Sequence, residues 1–387
     1  MALDRLWYTV PDPLSREGAT ATVDFSGDVA RAAPRVRLDP GARDFALVPT
    51  ATPTRWTARV DLSGIPAGVY RVGVVERVGG ADVLVDGDTA RTQLRLSQPE
   101  YVVWTLDFEG DASSDEAMAN TAAIADGLKV PMTVMWNPRV WTTTAVPAER
   151  ADAMLAWTKA RAVKGDEVAL HLHMYLDLVR AAGVAPRSQP TWSGRLDGYD
   201  VPMTAYAEGD MAKMLDLSLR LMQEHGLAKP TSFRAGGLIA DAAVLRAVAA
   251  AGFTADCSAT AAGTFGSLRL PWTLPADAQP YAPAKEDANT SGDLPLLEAP
   301  TNGGNTYGYT SASIAPIVRA DLAMLAKPGE VATTRKAITI VSHPGTIDAA
   351  ERAAIETLLH AFDPFRYDQD RGPVRSITLR ELAQVWK

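Results

Sequence analysis

The spacing of apolar residues along the chain changes character near residue 99. Before it, apolar and polar residues alternate in short runs: Ala19-Thr20-Ala21-Thr22-Val23-Asp24-Phe25, Arg35-Val36-Arg37-Leu38 and Thr57-Ala58-Arg59-Val60-Asp61-Leu62. A period of two turns successive side chains to opposite faces, so each run predicts a strand with one buried and one solvated face. Asp39-Pro40-Gly41, Gly64-Ile65-Pro66-Ala67-Gly68 and Gly79-Gly80 separate these runs as turns, and no useful stretch of helical periodicity lies between them. After Ser97-Gln98-Pro99-Glu100 the pattern becomes strand–helix alternation. Strands are predicted at 101–107, 132–136, 167–173, 232–234, 253–256, 294–298 and 337–342. Helices are predicted at 113–128, 147–163, 205–225, 240–251, 311–325 and 349–361, the first opened by a capping box on Ser113. A last strand entering a short helix is expected over 376–382.

This division predicts a small antiparallel β-sandwich over residues 1–98 and a parallel β/α barrel of seven or eight units over residues 99–387. The stretch 61–72 resembles the strand-turn-strand of immunoglobulin-like or fibronectin-type sandwiches. The first domain holds no His and no acid cluster with ligand spacing, so a structural or docking role is expected. Glycan contacts through Trp7, Trp56 or Tyr70 are the alternative.

Composition narrows the class. A hydrophobic share of 47% and a charged share of 22% are ordinary for a globular chain. A net charge of −8 argues against a nucleic-acid partner, which calls for a basic face. Cys257 is the sole cysteine, which excludes an internal disulfide and a multi-thiolate zinc site. No uncharged apolar run approaches the ~20 residues of a transmembrane segment. The N-terminal Met-Ala-Leu-Asp-Arg-Leu-Trp lacks the layout of a secretory signal. A cytoplasmic protein is expected, or a secreted or periplasmic one whose leader has been removed. Oligomeric state has no signature here.

The candidate chemistry lies at the ends of the barrel strands. Asp107 and Glu109 end the first, His171 and His173 the third, Arg234 the fourth, Asp256 the fifth, Glu298 the sixth and His343 the seventh. In a parallel barrel those ends share one rim, where the loops carry the chemistry. Residues i and i+2 of a strand face the same way, so Asp107 pairs with Glu109 and His171 with His173. Two imidazoles and a carboxylate suit a divalent metal such as zinc. Glu298 is an added ligand, a substrate contact or a rim salt bridge. Trp192, Tyr199, Trp272 and Tyr281 lie on long loops and suit either sugar stacking or packing of the loops onto the barrel.

Taken in order, these motifs resemble the polysaccharide deacetylase family (carbohydrate esterase family 4, the chitooligosaccharide-deacetylase homology domain), of which the chain reads as a divergent member. The resemblance covers residues 101 to 387 and implies a distorted β/α barrel that removes acetyl groups from amino sugars or xylan by metal-dependent hydrolysis. Thr105-Leu106-Asp107-Phe108-Glu109-Gly110 is similar to the first motif, which implies Asp107 as general base and Glu109 as metal ligand. The second motif normally has two His four apart; here it is His171-Leu172-His173, with Tyr175 at the fourth place. Phe233-Arg234-Ala235-Gly236-Gly237 is similar to the third, with Arg234 pairing with Asp107 and Gly236 and Gly237 beside the substrate. Asp256 would orient Arg234 or the last His, and Ser342-His343-Pro344 makes His343 the general acid. Trp192, Tyr199 and Glu298 complete the expected substrate contacts. Alternatives are a metal-dependent or metal-free hydrolase of a non-sugar C–N bond on the same barrel, and a catalytically degenerate glycan-binding protein.

Overall fold

The alternating runs of the first hundred residues form ten strands in a computed structural model, which describes residues 1–14, 20–27, 34–85 and 92–386. They are β1 (Ala2–Leu3), β2 (Trp7–Thr9), β3 (Thr20–Ser26), β4 (Arg35–Asp39), β5 (Arg43–Ala46), β6 (Val48–Pro49), β7 (Arg55–Asp61), β8 (Gly68–Val78), β9 (Ala81–Leu84) and β10 (Thr92–Ser97). Ala19, where one predicted strand begins, lies outside the described residues. One sheet has the order β1-β3-β7-β6 and the other β2-β10-β8-β4-β5, with β9 on β8. The period of two is visible in β3, where Ala21, Val23 and Phe25 are buried and Asp24 and Ser26 exposed. These residues join Val60 of β7, Val36 and Leu38 of β4, Val72 and Val74 of β8, and Leu94 and Leu96 of β10 in one buried cluster. Each such aliphatic side chain contributes about 1.5–3 kcal/mol by leaving water. One pairing departs from the expected antiparallel arrangement: β2 runs parallel to β10. Trp7 and Tyr70 are buried, so they offer no face to a glycan.

The chain divides into two compact units. The first takes Met1–Glu100 together with Leu325–Lys336 and Phe362–Arg375, and the second takes the rest. The expected 99–387 domain is therefore interrupted twice.

In the second unit strands and helices alternate: β11 (Glu100–Asp107), α1 (Asp115–Leu128), β12 (Met132–Trp136), α2 (Ala148–Val163), β13 (Glu167–Leu172), α3 (Leu176–Ala181) and α4 (Glu208–Glu224). Then follow β14 (Ser232–Ala235), α5 (Ala242–Ala250), β15 (Ala255–Asp256), a small hairpin of β16 (Thr264–Phe265) and β17 (Leu268–Arg269), and β18 (Leu297–Glu298). The chain ends with α6 (Ala315–Met324), β19 (Lys336–Ser342), α7 (Ala349–His360) and α8 (Leu379–Val385). The sheet order is β18-β15-β14-β13-β12-β11-β19. Every neighbouring pair from β11 to β18 is parallel. All eight residues of β11 are buried, as expected of a parallel strand covered on both faces. The outer strands of this order are linked by the stretch 302–306. There Gly303 N donates to Thr339 O (3.0 Å), Val341 N to Gly304 O (2.9 Å) and Thr306 N to Val341 O (2.9 Å).

Helix starts differ slightly from expectation. Ser114, not Ser113, caps α1, its side chain accepting from Ala117 N. A capping box is present instead at α8, between Thr378 and Glu381. Among the described residues no helix is long and apolar enough to cross a membrane.

Candidate active site

The ends of β11, β13 and β14, with the turn after β19, bring six of the predicted residues together. Glu109 lies two residues beyond the last buried position of β11. The chain turns there through Gly110, which has φ +81° and no room for a side chain: a Cβ would stand 3.0 Å from Asn137 and 3.1 Å from Arg139. Glu109 Oε2 lies 2.6 Å from His173 Nε2 and 3.5 Å from His171 Nε2, while its Oε1 lies 3.2 Å from His343 Nε2. His171 Nε2 also faces Asp107 Oδ2 at 4.0 Å.

The backbone fixes the tautomer of both histidines. His171 Nδ1 lies 3.0 Å from Arg234 O, and His173 Nδ1 lies 2.7 Å from Tyr199 O. A carbonyl only accepts, so each Nδ1 carries a proton and each Nε2 faces Glu109, bearing a second proton when the ring is charged and a lone pair when it is neutral. The His173 ring is sandwiched: it stacks on Tyr199 at 4.0 Å and 4°. On another side Gly236 comes so close that a Cβ would stand 2.6 Å from Nδ1. Gly237, with φ +65°, would meet the Trp192 ring at 3.0 Å. The two glycines thus make room for the rings of the site, a different use from the expected substrate contact.

These residues fit a divalent ion. Glu109, His171 and His173 each offer one ligand atom within 4.8 Å of the others. His171 Nε2 is buried with no hydrogen-bond partner, an arrangement that is costly unless something else binds it. Burial alone would push the Glu109 carboxyl up, but the charge of His173 and the contacts with His171, His173 and His343 hold it well below the usual carboxylate range. Burial depresses His171 and His343, yet the carboxylates of Asp107 and Glu109 outweigh it and raise both.

Arg234 is wholly buried and each of its nitrogens is bonded. Its Nη1 donates to Asp107 Oδ1 (2.7 Å) and Thr105 Oγ1 (2.8 Å), its Nε to Cys257 O (3.1 Å) and its Nη2 to Thr301 Oγ1 (3.3 Å). Burial works against its charge, and Asp107 beside it more than restores it. Asp107 thereby keeps one oxygen, Oδ2, on the side of His171.

Four other predicted residues take different parts. Asp256 bonds neither Arg234 nor His343; its oxygens accept from Ser258 N (2.7 Å) and Ser258 Oγ (3.1 Å). Glu298 has no exposed surface and accepts from Ala259 N (2.8 Å), so it is neither a rim salt bridge nor open to substrate. The two sit side by side on β15 and β18, where dry neighbouring carboxyls cannot both ionise. Burial, then Asp256 itself, push Glu298 well above the usual range. Trp192 is 7% exposed and packs edge-on against His173 and Phe265, so it supports the site from behind. Trp272, bonded to Leu238 O, is a packing residue too. Asp111, next to the Gly110 turn, is engaged by Arg139 Nη1 (2.5 Å) and Tyr175 OH (3.0 Å).

No family model and no curated protein matches the chain. Among solved structures it is similar to one described as a polysaccharide deacetylase from Mycobacterium smegmatis, at 17% identity and a TM-score of 0.47, over 74% of this chain and 90% of that one. It is also similar to a family 4 carbohydrate esterase from Streptomyces lividans in complex with acetate (13%, TM-score 0.36, 69% and 89% covered). A third is a family 4 acetyl xylan esterase from Clostridium thermocellum in complex with a cobalt ion (13%, TM-score 0.37, 73% and 89%). With none of these three scores reaching 0.5, the function proposed below is carried by the residues of the site.

Proposed function

We propose that the chain is a metal-dependent hydrolase that removes acetyl groups from a glycan, with Asp107 as base and His343 as acid. The observation that carries this reading is the convergence of Glu109, His171 and His173, both imidazoles locked by backbone carbonyls with Nε2 facing inward. Zinc, or another divalent ion, would be held by Glu109 Oε2, His171 Nε2 and His173 Nε2; when bound it supplies Lewis-acid chemistry, polarising an acyl carbonyl and acidifying water. Asp107 Oδ2 takes a proton from the attacking water while Arg234 keeps Oδ1 in place. His343, on the far side of Glu109 from the histidine pair, gives a proton to the departing nitrogen or oxygen. The glycan is supported by the order of motifs along the strands: Asp-x-Glu, His-x-His, Arg and His resemble the polysaccharide deacetylases. The N-terminal unit is read as an accessory module of immunoglobulin- or fibronectin-like kind.

The test is acetate release by the zinc-loaded protein from acetylated chitooligosaccharides, acetylated xylan and peptidoglycan. Release from at least one is expected, with Asp107→Asn slower by about 100-fold or more. No acetate from any of the three sinks the glycan reading, and a full rate in Asp107→Asn removes that residue from the chemistry.

A further inference from the structure

The loop after β18 presents an aromatic ring to solvent beside His343. Tyr307 is 63% exposed, and its ring meets that of His343 edge-on, with centroids 5.9 Å apart at 76°. The backbone beneath it is fixed on both sides. Thr306 N donates to Val341 O, and Tyr307 N donates to Asn305 Oδ1 (2.9 Å). Thr306 Oγ1 bonds Ser342 Oγ (2.7 Å) and donates to Glu351 Oε1 (3.2 Å). Thr346 Oγ1 lies within bonding distance of both Glu351 Oε2 (2.9 Å) and His343 O (3.0 Å). Glu351, buried on α7, therefore ties the Tyr307 loop to the His343 turn, which holds the root of the Tyr307 side chain beside the acid.

A rigid aromatic with two side-chain torsions offers a large contact face at low entropic cost. Tyr307 spends little of that face on its own fold. Trp192 and Trp272, by contrast, are buried in packing. Asn305 is exposed, and because its Oδ1 accepts from Tyr307 N, its amide NH2 remains to donate outward. An aromatic face flanked by an amide donor matches a pyranose, whose C–H face is apolar and whose edge carries hydroxyls.

Resting on the deacetylase reading, we propose that Tyr307 is the stacking platform for the sugar ring that bears the acetyl group, with Asn305 bonding its hydroxyls. That ring is attached to the nitrogen or oxygen His343 must protonate, so it has to lie within reach of the His343 edge.

The test is calorimetric titration of chitohexaose and of xylohexaose into zinc-loaded wild type, Tyr307→Ala and Tyr307→Trp. Tyr307→Ala should bind about 3- to 10-fold more weakly, and Tyr307→Trp should retain wild-type affinity. Equal affinity of wild type and Tyr307→Ala overturns the platform and leaves the deacetylase reading standing. Binding of neither sugar by a wild type that still cleaves a simple aryl acetate overturns the glycan reading and the platform together.

Discussion

His173 shows how closely the site is fitted around single atoms. Its Nδ1 proton is held by Tyr199 O, its face by the Tyr199 ring, and its edge by the bare Cα of Gly236. Gly236→Ala should therefore displace the ring and weaken zinc binding by about 10- to 100-fold, the usual cost of losing a group that orients a ligand. Zinc competition against a chromophoric chelator measures this, and an unchanged affinity would show that the ring has somewhere else to go. Arg234→Lys keeps the charge but cannot reach Asp107, Thr105, Thr301 and Cys257 O at once. A fall in kcat at unchanged zinc content is expected, by about 100-fold.

The residues of the site were legible because each breaks an apolar strand at its end, where a charge is unaffordable unless used. Tyr307 and Glu351 were not. One lies in a glycine-rich loop and the other on a helix face, and neither position distinguishes a working residue from a surface one. Trp192 and Tyr199 stood on a polar loop, which says nothing about whether a ring points inward.

At the scale of elements, the strands after residue 99 were readable from their continuous apolar runs, while the link that joins the outer strands was not. Thr301-Asn302-Gly303-Gly304 reads as a turn, yet Gly303 is there for contact: a Cβ would stand 2.7 Å from both Ile338 and Ile340 of β19. Helix α6 carries a polar defect of another kind. Asp321 is buried, and neither carboxylate oxygen has a hydrogen-bond partner; burial alone raises its pKa to about 8. An acid with a higher pKa folded than unfolded binds its proton more tightly in the fold. Its contribution is complete below the unfolded value of about 4 and is lost as pH rises to about 8. Stability should fall across that window by up to about 1.4 kcal/mol per pH unit. Urea unfolding at a series of pH values should show the slope in wild type and a flatter profile in Asp321→Asn; equal slopes would place the pH dependence elsewhere. Glu298, raised in the same direction by burial and Asp256, is expected to tolerate Glu298→Gln, since the neutral form is the one its surroundings favour.

For the whole molecule, composition excluded more than it assigned. A net charge of −8 with a single cysteine pointed away from nucleic acid and from thiolate zinc, and the structure brings together nitrogen and oxygen groups that could hold an ion. The break near residue 99 was legible as a change of period. The return of 325–336 and 362–375 to the first unit was not, since short irregular segments carry no periodicity to assign them. If the site takes zinc in the folded chain only, zinc at 100 times its Kd should add about 2.7 kcal/mol of stability, read as a rise in Tm that chelation reverses.

The central claim is that Glu109, His171 and His173 form one metal centre, and it is tested most directly by zinc content per chain after equilibration and removal of free ion. One zinc is predicted in wild type, with occupancy lost in His171→Ala and in Glu109→Ala, and with acetate release falling in proportion. A wild type that retains no metal, or variants that keep a full ion, would contradict it.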